Sequence, residues 1–304
     1  MIERFKHLDL DDNPVPSNNL ENTQEETPII QAEPSKLRVT EVMGELGNGV
    51  GQFNRPAGLA IDRDGAVYVA DSSNHRIQRI AENGDVFLYG GPGSGQGQLM
   101  GPTSVALHPD GLFMYVADQG NRRISCYYMN GSPGTALYGY ISPSSIAFDE
   151  HGMLWIADPG RNEIRCLNLN TNTIMKTMGR ESGLIHPVGL AFDLSGNLFV
   201  LDSFQNLLIK YDSRANHSFP LGDFHRPAGA MFLSITAAGL ILLPETFNNR
   251  LHLFSNDGRS LADLTHISTR HGQLNSPTGI ALSKDGSVYM SDSLNHRILH
   301  IQAE

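Results

Sequence analysis

The sequence contains only two cysteines and one tryptophan among 304 residues, and it has no long apolar run. A membrane-spanning helix needs about 20 consecutive apolar residues, so the sequence predicts no membrane span. The opening residues, MIERFKHLDLDDN, lack the apolar core of a signal peptide, and no export signal is expected. Basic residues are too few to balance the acidic ones, because the sequence has 22 Lys and Arg but 32 Asp and Glu. The resulting formal charge of −10 disfavours general nucleic-acid binding, which depends on a basic excess.

Repetition is the most prominent feature that the sequence does have. Residues 56–71, PAGLAIDRDGAVYVAD, return five more times in altered form, at intervals of 40 to 50 residues. Each copy contains short β-branched and aromatic runs separated by turn signals such as Asn83-Gly84. A period in the forties made of short strands is typical of a β-propeller with four strands per blade. The prolines that open the six copies are Pro56, Pro102, Pro143, Pro187, Pro227 and Pro277.

We therefore predict an all-β fold, a six-bladed β-propeller with four antiparallel strands per blade, over residues 37–304. The last copy ends after three strands, whereas residues 37–43 precede the first copy and have the character of a fourth strand. We expect this amino-terminal strand to complete the last blade, because that pairing closes the ring and removes an exposed sheet edge. Residues 1–36 hold eight acidic and three basic residues and few large apolar ones, so they are expected to form a disordered acidic tail.

Two segments of the first copy carry a family resemblance: GQFNRPAGLAID at 51–62 and VYVADSSNHRI at 67–77. Together they resemble an NHL repeat, and the last copy, with GQLNSP at 272–277 and NHR at 295–297, resembles it nearly as well. The resemblance extends over about residues 37–301 and implies a six-bladed propeller. It leaves the function open, because the family includes RNA-binding modules of TRIM-type proteins, peptide-amidating lyases, kinase sensor domains and scaffolds. Two cysteines cannot build the zinc-binding RING and B-box segments of TRIM proteins.

An Asp-x-x-Asn-x-Arg pattern follows the second predicted strand in three copies, and a fourth copy has glutamate in place of the aspartate. We expect the carboxylate to fix this turn by hydrogen bonds and to pair with the arginine five residues later. The pattern is interpreted as structural, since a catalytic site would hardly be repeated four times around one ring. The residues of this turn motif are Asp71, Asn74, Arg76, Asp118, Asn121, Arg123, Glu245, Asn248, Arg250, Asp292, Asn295 and Arg297.

The third and fourth copies keep the acid of this motif but lose its base. Glu163 occupies the arginine position of the third copy, and Leu207 occupies that of the fourth. Asp158 and Asp202 are therefore expected to be either solvated, after simple divergence, or part of a ligand or metal site. With His186, these two aspartates are the weak candidates for holding a divalent metal. No other cofactor is expected.

The loops that lead into each blade and the turns after the carboxylates are expected on one surface, which we call the loop face. Its predicted character is cationic and aromatic, a combination that could bind a peptide or stack a nucleic-acid base. The candidate partner-binding residues are Arg55, His75, Arg122, Asp158, Arg161, His186, Asp202, Phe204, His225, Arg226, Phe247 and His296.

A complete architectural repeat without a complete catalytic set indicates a non-catalytic interaction module or scaffold that binds a protein or peptide on the loop face. No catalytic residue is assigned, since neither an HExxH motif nor a nucleophile elbow is present. Two alternatives remain: an RNA-binding NHL domain, which the acidic charge disfavours, and a metal-dependent lyase or hydrolase of the amidating-lyase type.

The two cysteines, Cys126 and Cys166, occupy equivalent positions of adjacent copies. Equivalent strands of neighbouring blades lie about 10 Å apart, beyond the reach of a disulfide. We therefore expect free thiols and a cytoplasmic location.

Overall fold

The computed structural model describes residues 37–213, 218–221, 229–264 and 272–303. The predictions for the tail at 1–36 and for His225 and Arg226 lie outside these residues. Six antiparallel sheets follow one another around a ring, which confirms the predicted six-bladed propeller. No helix in these four described stretches is long and apolar enough to cross a membrane.

The strands succeed one another blade by blade. Blades 1 to 3 contain β2 (Pro56–Ile61), β3 (Val67–Asp71), β4 (Arg76–Ile80) and β5 (Val86–Gly90); β6 (Pro102–Leu107), β7 (Phe113–Asp118) and β8 (Arg123–Tyr128); and β9 (Ser145–Phe148), β10 (Leu154–Asp158), β11 (Glu163–Asn168) and β12 (Thr173–Met178). Blades 4 and 5 contain β13 (Pro187–Phe192), β14 (Leu198–Asp202), β15 (Leu207–Tyr211) and β16 (Ser218–Pro220); and β17 (Ser234–Ile235), β18 (Ile241–Glu245), β19 (Arg250–Phe254) and β20 (Ser260–Leu264). Blade 6 contains β21 (Pro277–Leu282), β22 (Val288–Asp292) and β23 (Arg297–Ala303), together with β1 (Leu37–Met43).

The ring is closed by the amino-terminal strand, as predicted. Strand β1 pairs antiparallel with β23, so that Leu37 lies opposite Ala303 and Met43 lies opposite Ile298. This pairing gives blade 6 its fourth strand and covers the edge that β23 would otherwise expose.

Blade 2 differs from the other five sheets because only three of its strands form regular ladders. Residues 133–137 occupy the outer position and contact β8 through two isolated bridges, Ile124 with Leu137 and Tyr127 with Pro133. Proline at the bridge lacks a backbone N–H, which limits the ladder that this segment can form.

The second strand of each blade lies in the core. All five residues of β3 are buried, as are those of β10, β14 and β18, because a neighbouring blade covers each face of the sheet. Cys126 and Cys166 are buried free thiols, as predicted. Burial raises the pKa of the Cys166 thiol to about 11, which keeps the thiol protonated and unreactive at neutral pH.

In blades 1 to 4 and in blade 6, the innermost strand approaches that of the next blade closely at the second residue after the opening proline. A Cβ added to Gly58 would lie 2.6 Å from the Thr103 carbonyl oxygen, and one added to Gly189 would lie 2.6 Å from that of Met231. Where serine occupies this position, its hydroxyl bonds to the next blade: Ser104 Oγ accepts from the Ile146 N–H at 3.3 Å. Small residues at this position therefore keep the central channel narrow.

Candidate functional site

The turn motif of blade 1 fixes the loop face. Pro56 pairs with Asp71 at one end of the blade, so the loop that leads into the blade and the turn after Asp71 lie side by side. The buried Asp71 carboxylate accepts from the Asn54 N–H at 2.7 Å, from the Asn74 amide at 2.9 Å and from Arg76 Nε at 2.8 Å. Arg76 also donates to the carbonyl oxygens of Asn48, Gly49 and Gln52. The arginine thus joins the carboxylate to the preceding loop.

Blade 2 repeats this arrangement around its glycine-rich loop at residues 90–97. Asp118 accepts from Arg123 Nε at 2.8 Å, and Arg123 donates to the carbonyl oxygens of Ser94, Gly95 and Gln98. Carbonyl oxygens therefore converge on a cation here, whereas a phosphate-binding loop presents N–H groups to an anion.

Blades 5 and 6 contain the same pairs. Arg297 Nε lies 2.8 Å from Asp292, and Arg250 Nε lies 2.5 Å from Glu245. Burial by itself would raise the pKa of the Glu245 carboxyl. Hydrogen bonds from His252, Arg250 and Asn248 outweigh that effect, so the pKa of Glu245 lies below its ordinary value.

Asp158 in blade 3 is fully buried, so the expectation of a solvated aspartate is wrong. Its carboxylate accepts from the backbone N–H groups of Ile141 and Ser142, both at 2.9 Å. Arg161 Nε lies 3.7 Å away and is the nearest replacement for the missing base. Backbone amides have taken over most of the role that arginine plays toward the carboxylate in blades 1, 2, 5 and 6.

Asp202 in blade 4 is also fully buried, so solvation is again the wrong explanation. It accepts from the backbone N–H groups of Ile185 at 2.6 Å, His186 at 3.0 Å and Gln205 at 3.1 Å. The Gln205 side chain donates to the Gly183 carbonyl oxygen at 2.7 Å, which is the task of asparagine in the regular motif. Tyr211 Oη donates to the carbonyl oxygen of Ser182 at 2.6 Å and holds the same loop.

The weak metal candidates are not brought together as ligands. Both carboxylates, Asp158 and Asp202, are occupied by backbone N–H groups. His186 Nδ1 contacts Ser203 Oγ at 2.7 Å. Among the residues that the structure describes, no group of three or more His, Cys, Asp or Glu side chains has a metal-binding arrangement.

The central channel is a cavity of about 260 Å³ lined by the innermost strands of all six blades. Its lining consists of apolar and serine side chains, for example Leu59, Ser104, Ile146 and Leu190. Ionisable groups are missing from this lining over the described parts of the chain.

Two of the predicted partner-binding histidines connect neighbouring blades. His75 Nδ1 accepts from the Gly101 N–H of blade 2 at 2.9 Å, and His296 Nδ1 accepts from the Arg55 N–H of blade 1 at 3.2 Å. The side-chain oxygen of Asn249 likewise accepts from the Ser276 N–H at 2.8 Å. His or Asn recurs at the fourth residue after the turn carboxylate. This recurrence is the sequence signal for the contact between blades, which was not predicted.

Two aromatic rings remain prominently exposed on the loop face. Phe204 and Phe247 occupy the second position after the carboxylate in adjacent blades 4 and 5, and their exposed fractions are 73% and 78%. Exposed guanidinium groups at Arg55, Arg122 and Arg161 lie on the same face.

Comparisons with known proteins agree with this fold. A family model described as NHL repeat matches residues 53–80. The peptidyl-glycine alpha-amidating monooxygenase of Mus musculus is 27% identical over 177 residues, covering 52% of this chain and 18% of that protein. The E3 ubiquitin-protein ligase TRIM32 of Homo sapiens is 22% identical over 271 residues, covering 85% of this chain and 37% of that protein. The chain therefore spans well under half the length of either relative.

A solved structure described as a putative gluconolactonase superposes with a TM-score of 0.65 at 20% identity, and the match covers 88% of this chain and 98% of that one. At this identity the likeness concerns the fold alone. The six repeats, the closed ring of blades and the family match together identify the chain as an NHL-repeat β-propeller.

Proposed function

We propose that the chain is a non-catalytic interaction module that binds a protein or peptide partner on the loop face. The observation that carries this proposal is the exposed pair Phe204 and Phe247 on equivalent turns of adjacent blades. Contact between an aromatic ring and water is unfavourable in free energy, so burial of an exposed ring against a partner is favourable. Aromatic residues are also enriched among those that contribute most to binding at protein interfaces. Exposed arginines on the same face, Arg122 and Arg161 among them, offer the polar groups that the rim of such an interface uses.

The chemistry of the described residues supports a binding role over a catalytic one. The turn carboxylates are buried and saturated with hydrogen bonds, and the channel lining presents Leu59 and Ser104 rather than acids, bases or metal ligands. The buried thiols Cys126 and Cys166 support the further proposal of a reducing compartment, the cytoplasm.

Crosslinking mass spectrometry on the native protein in an extract of its own cells tests this function. The double variant Phe204→Ser/Phe247→Ser removes both rings, and we expect partner crosslinks to the loop face near Arg55 and His186 to fall about tenfold. Leu194→Ser is the matched control, because Leu194 is 81% exposed on the opposite face. Crosslinks that persist in the double variant, or that reach only the opposite face, would contradict the proposal.

RNA binding is the alternative for the same face, because exposed arginines and aromatic rings also suit a single-stranded nucleic acid. Binding of a random RNA pool at low salt, where phosphate contacts are strongest, distinguishes the two. If the protein retains the RNA pool only at background level, RNA binding is excluded. The amidating-lyase alternative requires a bound metal, and elemental analysis of the purified protein for zinc and calcium tests it directly.

A further inference from the structure

A second cavity lies between blades 1 and 2, at the end of the blades opposite the loop face. It has a volume of about 670 Å³, within the usual range for small-molecule sites. Two hydrogen bonds cross the gap at its borders: Arg63 Nη2 donates to the Pro109 carbonyl oxygen at 2.7 Å, and Tyr89 Oη donates to the Met129 carbonyl oxygen at 3.0 Å. The cavity is thus a cleft whose borders are fixed by contacts between the blades.

Arg79 forms part of the cavity wall, and its side chain is 22% exposed. Its Nε donates to Tyr68 Oη at 2.9 Å, and its Nη2 lies 3.4 Å from Asp62 Oδ2. The guanidinium carbon lies 5.8 Å from the ring centroid of Tyr68 and 5.7 Å from that of Phe87. Two aromatic rings therefore hold a largely buried cation at the cavity.

This guanidinium has donors to spare. It carries five N–H groups, and its hydrogen bonds to described residues use only two of them. Asp62 is a shared partner, because its other oxygen accepts from the backbone N–H groups of Asp64 and Ala66, both at 2.9 Å. Arg76, on the same strand, bonds by contrast to one carboxylate and three carbonyl oxygens.

Blade 4 shows how the equivalent cation is satisfied elsewhere. Lys210 and Arg79 both lie eight residues after the turn carboxylate of their blades. Lys210 pairs with Asp193 at 3.6 Å and reaches across to the Asn256 side chain of blade 5 at 2.8 Å. At the position of Asn256, blade 2 has Met129, whose thioether is a weak acceptor at best. Arg79 therefore has no counterpart of Asn256 as a partner, and the neighbouring Asn130 in the cavity wall uses its side-chain oxygen to accept from the Ser132 N–H at 3.0 Å.

We propose that this cavity binds a small organic carboxylate with an aromatic or aliphatic body. The carboxylate accepts hydrogen bonds from the spare N–H groups of Arg79, and the body packs on Phe87, Leu88 and Tyr89. Two arginines and two aspartates line the cavity, so it is neutral overall within a chain whose formal charge is −10. This site is independent of the loop face and of the function proposed for it.

Ligand-observed NMR on the full chain tests the proposal with 4-phenylbutyrate, indole-3-acetate and octanoate, each compared with its uncharged amide. We expect at least one carboxylate to bind about tenfold more tightly than its amide, the usual contribution of a charge-assisted hydrogen bond. Arg79→Gln should remove this difference, whereas Phe87→Ser at the rim should weaken acid and amide alike. Arg259→Gln, exposed in the turn between β19 and β20 of blade 5, is the charge-matched control and should leave binding unchanged.

Three results would overturn the proposal. The first is the absence of binding by all three carboxylates up to about 10 mM, a concentration that detects even weak fragments. The second is equal binding of acids and amides by the unchanged protein. The third is an acid preference that survives Arg79→Gln in a variant whose thermal unfolding and NMR spectrum remain native. None of these results depends on whether a partner binds the loop face.

Discussion

The imidazole of His75 in blade 1 accepts a hydrogen bond on Nδ1 from the backbone N–H of Gly101 in blade 2, at 2.9 Å. This contact defines the tautomer, because a nitrogen that accepts carries no proton and the hydrogen lies on Nε2. It also gives a conspicuous surface histidine an architectural role. His296 performs the same role between blades 6 and 1.

His75→Ala should lower the free energy of unfolding by about 1–2 kcal/mol, because it leaves the Gly101 N–H without its partner. His75→Asn should recover most of the loss, since Asn249 performs this task in blade 5. Arg122→Ala is the matched control, because Arg122 has the same left-handed backbone, with φ 55° against 58° for His75. Urea denaturation measures all three, and equal losses for His75→Ala and Arg122→Ala would refute the role of the hydrogen bond.

Arg76→Met should destabilise the fold by about 3–5 kcal/mol, because it leaves the buried Asp71 carboxylate without its cation. Arg161→Met should cost less than about 1 kcal/mol, since this pair is longer, at 3.7 Å, and its arginine is partly exposed. Chemical denaturation of the two variants tests whether backbone amides have replaced the arginine in blade 3. A loss for Arg161→Met as large as that for Arg76→Met would show that they have not.

Glu245 should make the protein sensitive to acid. Its pKa is lower in the folded chain than its ordinary value of 4.5, so its ionised form stabilises the fold above that pH. This contribution is lost as the pH falls below 4.5 and through the folded-state pKa. The stability difference between the unchanged protein and Glu245→Gln should therefore shrink on acidification within this range. Thermal unfolding of both proteins as a function of pH measures it, and a constant difference would contradict the assignment.

Gly58→Ala should cost about 1–3 kcal/mol or more, because its new Cβ would meet the Thr103 carbonyl oxygen of the next blade. Gly111→Ala is the control for adding a methyl group in open space. Its φ of 74° brings backbone strain of about 1–2 kcal/mol, but nothing lies within 4 Å of the added atom. Chemical denaturation measures both, and a loss for Gly58→Ala below about 1 kcal/mol would argue against close packing of the blades.

The repeat predicts the fold well because each blade buries the same face with the same residue types. Proline, the buried strand pattern and the turn carboxylate recur in the same order, and the pairs of Asp71 with Arg76 and of Asp118 with Arg123 follow from an arginine that recurs five residues after the carboxylate. Blade 2 is less predictable, because the two bridges at Pro133 and Leu137 depend on backbone geometry that side-chain pattern does not encode.

The partners of Asp158 and Asp202 could not be found from side chains at all. Both carboxylates bind backbone N–H groups of the preceding loop, and every residue except proline supplies such a group. Likewise, the missing partner of Arg79 is recognised only when blades 2 and 5 are compared. Met129 of blade 2, in the wall of the cavity, occupies the position of Asn256 in blade 5. Contacts between repeats are harder to predict than contacts within one repeat, because the repeat pattern aligns equivalent positions and not neighbouring ones.

The pairing of Leu37 with Ala303 has a consequence for synthesis on the ribosome. Within the propeller, β1 is made before blades 1 to 5 and its partner β23 is made after them, so β1 emerges with no sheet to join. Blades 1 to 5 can pair their own strands as they appear, but blade 6 forms only after those five blades have left the exit tunnel. Until then the growing propeller is an open arc, and the emergence of β23 is the event that permits the circle to close.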